Sequence, residues 1–157
     1  MPTTNTPESY LLDAYLDEIS GEATFLALAE TLPERANDLH LLAEVERTTA
    51  VYLSHHLFSS VSTETLDSCR VEAKRQVSVM GFDSWAALLE GATPIVQEAL
   101  EELKTAEAHA PKELLEVYQT YTAHEQALAD YLRLEREGKS GQHVLKNYIE
   151  QVAPKVP

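Results

Sequence analysis

The stretch TPESYLLDAYLDEISGEATFLALAETLPE, residues 6–34, decides the fold class. It opens on Thr6-Pro7-Glu8, which joins a capping side chain, a proline at the first helical position and an early acid. A helix over about residues 7–31 follows from this start. Leu32-Pro33-Glu34 then repeats the proline-start device and opens a second helix, read over about 33–59.

The same punctuation continues along the chain. Asp83-Ser84-Trp85 supplies a cap, and Thr93-Pro94 and Ala110-Pro111 supply further starts. Gly81, Gly91, Gly138 and Pro154 mark stops. The expected helices after the second run over about 63–80, 84–90, 94–109, 111–137 and 142–152, with tails at 1–6 and 153–157. No β-branched run alternates with polar residues, so strands are not expected. Long helices joined by one- to four-residue links must lie antiparallel. The expectation is therefore one all-α domain, a bundle of long helices with additional short ones.

Composition agrees with that class. The 157 residues are 44 % hydrophobic and 24 % charged, with only five glycines for tight turns. The net charge of −14 comes from 26 acidic and 12 basic side chains. Phosphate contacts need a basic face, so binding to nucleic acid or anionic lipid is disfavoured. The single cysteine, Cys69, can form neither an internal disulfide nor a multi-cysteine metal cage, and it reads as a small core hydrophobe. Met1-Pro2-Thr3-Thr4-Asn5 lacks the basic start and apolar run of a signal peptide, and no stretch approaches the ~20 apolar residues of a membrane span. A cytoplasmic protein is expected.

Polar residues inside apolar stripes are the informative ones. Tyr15, Ile19, Glu22, Phe25, Leu26 and Ala29 share a face of the first helix, with Glu22 at its centre. Leu39, Leu42, Ala43, Glu46, Ala50 and Leu53 form the stripe of the second, centred on Glu46. Later, Tyr121 and Leu128 mark an inward seam, with His124 and Glu125 between them. A core carboxylate is costly unless paired, protonated or bound to a cation. Glu22, Glu46, His124 and Glu125 are therefore the candidate metal ligands. A dry polar network holding helix register accounts for the same residues. Phe82, Trp85, Leu88 and Leu89 offer an apolar patch, from which a homodimer is expected.

Two segments carry a family resemblance. Gly21-Glu22-Ala23-Thr24-Phe25, with Leu42-Ala43-Glu44-Val45-Glu46-Arg47-Thr48-Thr49, resembles the opening helix pair of ferritin-like proteins. Ala123-His124-Glu125-Gln126-Ala127-Leu128, followed by Leu134-Glu135-Arg136-Glu137-Gly138, resembles a late helix of bacterial members. The similar patches cover about a third of the chain, and long acidic helices look alike. The resemblance implies a four-helix-type bundle holding iron or manganese. Glu22 and Glu46 would match the first- and second-helix glutamates, and His124 a late-helix histidine.

The chain departs from that pattern where chemistry is decided. Ferritin-like sites use Glu-x-x-His pairs, which present two ligands three residues apart. The residues three before the six histidines are Asn37, Tyr52, Leu53, Ala106, Tyr121 and Ser140. Three functions stand. One is a metal-binding, oxygen-activating helical protein using iron, manganese or zinc. Another is a metal-free interaction or regulatory module with a vestigial site. Iron storage is the weakest of the three. No Gly-rich phosphate loop, nucleophile elbow, His-Glu-x-x-His pair or EF-hand loop is present.

Overall fold

A computed structural model describes residues 6–157, and among them there are helices but no strand. The order is α1 (Pro7–Thr31), α2 (Ala36–Ser54), α3 (Thr63–Met80), α4 (Trp85–Ala108), α5 (Leu115–Arg136) and α6 (Gln142–Val152). Short 3-10 turns at Pro33–Arg35, Lys112–Leu114 and Ala153–Lys155 complete it. The signal-peptide reading rests on residues 1–5, which lie outside the described residues. Among the described residues no helix is long and apolar enough to cross a membrane.

Local chemistry sets the helix ends. The Thr6, Ser62 and Ser84 hydroxyls each accept a backbone N–H three residues on, which caps α1, α3 and α4. Gly81 closes α3 at φ 61°, in the left-handed region that favours glycine. Two expected boundaries are corrected. The second helix ends at Ser54, not near 59. The segments 84–90 and 94–109 are one helix that runs through Pro94. Proline removes one hydrogen bond, to the carbonyl of Glu90, but Pro94 and Glu90 are both exposed, where water can serve that carbonyl.

α1 packs most extensively on α2, and α4 on α5, giving two hairpins. α6 closes across both, against α2 and α5, while α3 lies along α1. Leu11, Leu28, Leu39, Val45, Leu53, Tyr131 and Leu145 are at most 2 % exposed and form the centre.

One polar tie gathers several segments at the end of the bundle. Arg35 reaches Glu135 at 2.9 Å and Asp38 at 3.2 Å, with its guanidinium 4.1 Å from the Trp85 ring centre. Tyr131 donates to Asp38 at 2.8 Å, and the Gly141 N–H donates to Glu135. Trp85 is thus packed within the chain, as are Leu88 and Leu89, each 5 % exposed. Phe82 is half-buried like Trp85, so the four residues from which a homodimer is expected all pack against the core of their own chain. The expected C-terminal tail is also docked: Lys155 Nζ donates to the Thr120 hydroxyl at 3.2 Å. Cys69 is half-buried beside α1 rather than in the core.

Candidate metal centre

α1, α2 and α5 each send one ionisable side chain to the same enclosed point. Glu18 is 3 % exposed, Glu46 4 % and His124 1 %. His124 Nε2 lies 3.1 Å from Glu18 Oε2 and 3.4 Å from Glu46 Oε1. Its other ring nitrogen, Nδ1, lies 3.6 Å from Glu125 Oε2. One donor atom from each of Glu18, Glu46 and His124 lies within 4.8 Å of the others, so the group could hold a metal ion.

The aromatic surroundings fix the ring. Tyr121 stacks on His124 with centroids 5.8 Å apart and planes at 10°, and Tyr148 tilts against it at 5.9 Å. The Tyr148 hydroxyl is itself tied to Thr49 at 2.6 Å. Gly21 makes the room. A Cβ built there would sit 2.8 Å from Glu46 Cδ, closer than two carbons can approach. Mid-helix glycine costs about 1 kcal/mol relative to alanine, and here it clears space for a carboxylate.

Polar satisfaction is incomplete at this point. Both His124 nitrogens and Glu18 Oε2 are buried with no hydrogen-bond partner among the described residues, although opposite charge stands close by. Two carboxylates converge on one nitrogen that carries at most one proton. That is the donor geometry a cation would complete.

Burial and the neighbouring charges set the protonation of this group. Burial pushes the Glu18 carboxyl well above its ordinary range, and Glu46 beside it acts in the same direction. Burial also pushes Glu125 up to about 7, against the opposing influence of His124. For His124, burial disfavours the charged ring, but the carboxylates of Glu46 and Glu125 outweigh it and raise its pKa.

These shifts share one sign. A folded-state pKa raised above its unfolded value gives stability that is full below the unfolded pKa and lost as pH rises through the folded one. For Glu125 that window runs from 4.5 up to about 7. His124 loses its contribution above its ordinary 6.5, and Glu18 above its ordinary 4.5. Thermal denaturation of metal-free protein should therefore show Tm falling from about pH 5 to about pH 8. A flat or rising Tm across that range would contradict this charge balance.

The sequence candidates separate here. Glu46 and His124 meet, and Glu125 stands behind the imidazole. Glu22 does not join them: its half-buried side chain faces Arg47, with an oxygen 3.6 Å from Nη1. Its place is taken by Glu18, one turn earlier on α1, which sequence reasoning missed. The available signal was Gly21. A glycine inside an otherwise strong helix marks a close approach, and the seam through Leu11, Ala14, Glu18 and Gly21 carries it.

Comparison of the chain with family models, with curated proteins and with solved structures returns no match.

Proposed function

We propose that the protein binds one divalent metal ion through Glu18, Glu46 and His124. The observation that carries this reading is the convergence of two buried carboxylates on an imidazole nitrogen with no completed hydrogen bond. Mixed carboxylate and imidazole donors suit iron, manganese or zinc. Three donors from the chain leave further coordination positions for an outside ligand, and bound iron would supply redox chemistry there.

The chain's own residues have separate tasks. Glu18 and Glu46 would neutralise the ion from two helices of one hairpin. His124 would bind through Nε2. Glu125, on the Nδ1 side of the ring, would hold the imidazole in orientation instead of ligating, as an acceptor behind a metal-bound histidine does. Tyr121 and Tyr148 exclude water. Kinship with ferritin-like proteins draws support from ligands contributed by several long helices. Glu18 then fills the first-helix role, and the missing Glu-x-x-His pairs leave one ion rather than two.

A metal-free network is the second reading, favoured by the raised proton affinities of Glu18 and His124. Metal analysis separates the two. Untagged protein is stripped with chelator, incubated with Fe(II), Mn(II) or Zn(II), desalted and assayed for bound metal. One ion per chain is expected for at least one metal, with sharp loss in Glu18→Gln and Glu46→Gln. Failure to retain any of the three metals would remove the proposal and leave the network.

A further inference from the structure

α3 stands outside both hairpins and packs chiefly on α1, with only Ala73 and Val77 buried. Among the described residues α1, α2, α4 and α5 each carry one exposed large hydrophobic residue, whereas α3 carries three. Val71 and Val79 are each 69 % exposed, and Met80 is 42 % exposed. Val71 and Val79 lie eight residues apart, a little over two helical turns, so they share one side of the helix. Ala73 and Val77 mark the opposite side, the one seated on the bundle. A single exposed valine needs no explanation, but a pair on the free side of so lightly seated a helix does.

Charge decides what can approach that side. The chain carries −14, so a second copy meets like charge over most of the surface. α1 has six acids and no base, and α4 has five acids and one base. α3 balances Glu64, Asp67 and Glu72 against Arg70, Lys74 and Arg75, and it alone of the five long helices has no net charge. A basic partner would be drawn more strongly to α1 or α4, and nucleic acid would need a net basic face. A face with balanced charge and two apolar points is complementary to itself.

The order of the residues supplies the match. Arg75 lies midway between the two valines, and it donates to Glu72 through Nε at 2.8 Å and Nη2 at 2.6 Å. That fork leaves Nη1 to donate elsewhere. Two α3 helices packed antiparallel about a two-fold axis at Arg75 set each Val71 against Val79 of the second copy. Glu72 lies one turn from that axis, so the same packing brings each Arg75 Nη1 toward Glu72 of the second copy. Such a pair uses every contact twice and closes on itself.

We propose that the free side of α3, around Val71, Arg75 and Val79, is the interface of a homodimer. Eighteen residues make a helix about 27 Å long, which buries less than the ~800 Å² per partner of a standard interface. The dimer is therefore a weak one. Sedimentation equilibrium from about 5 to about 500 µM, run in chelator so that no metal bridges two chains, tests it; a Kd on the order of 10–100 µM is expected. Val79→Glu should weaken association at least about tenfold by setting a charge on the apolar contact. Ile95→Glu makes the same change on α4, at a residue 65 % exposed, and should stay within about twofold. Arg75→Glu should weaken the dimer as strongly as Val79→Glu. Glu72→Arg/Arg75→Glu reverses the pairing in both copies and should restore it to within about threefold. Circular dichroism checks that each variant is folded. Equal weakening by Val79→Glu and Ile95→Glu, or no recovery in the double exchange, would overturn the proposal. So would a chain that stays monomeric throughout, an outcome that leaves the face to a protein of another sequence.

Discussion

Replacing His124 with leucine is expected to lower stability by about 3–5 kcal/mol at pH 8, the scale seen when one member of a buried charge cluster is removed. Leucine fills much of the volume, so the loss is electrostatic. Glu18 and Glu46 would face each other from neighbouring helices with no imidazole between them, both nearly inaccessible to water. Acid should relieve the defect. Towards about pH 5 the Glu18 carboxyl, its proton affinity raised by burial, takes up a proton that it can donate to Glu46, so the deficit against the parent protein shrinks. Any Tm gain on adding metal should vanish in the same variant. Urea unfolding at the two pH values measures the deficit, and one that does not change with pH would mean lost packing, not lost charge balance.

Gly21→Ala should weaken metal binding by at least about tenfold while leaving the helix intact. Alanine favours a helix by about 1 kcal/mol over glycine, so a purely local view expects a more stable protein. The new methyl group, however, would occupy the space of the Glu46 carboxylate. That side chain is 4 % exposed and has little room to retreat. Swinging it aside would remove one donor from the centre, and crowding in a packed interior costs about 1–3 kcal/mol. Metal titration with each protein, alongside circular dichroism, checks the outcome. Unchanged affinity in a folded Gly21→Ala protein would show that Glu46 is not held there for an ion.

Much of the architecture was legible because end signals are local. Thr6, Ser62 and Ser84 cap through their own side chains, and α1 and α3 run to the limits that such residues imply. Pro94 misled for a different reason. Its effect depends on whether the freed carbonyl meets water, which is a property of the folded surface. At the centre, Glu46 and His124 stood out as polar residues in narrow stripes. α1 was harder, since it packs against both α2 and α3. Its buried arc includes both Glu18 and Ile19, so a single line of residues chose the wrong edge and reached Glu22. Leu26, placed in that stripe, is 41 % exposed.

The position of α3 bears on how the molecule comes apart. Only Ala73 and Val77 of its eighteen residues are buried, and its packing is chiefly on α1. A helix so lightly held can lift away at a fraction of the free energy that opens the two hairpins, because little apolar surface is exposed when it leaves. Its amide hydrogens would then exchange with solvent in their own early phase. A protease would find its first foothold in the segments on either side, 55–62 and 81–84, before the part of the chain that carries Glu18, Glu46 and His124 had loosened at all.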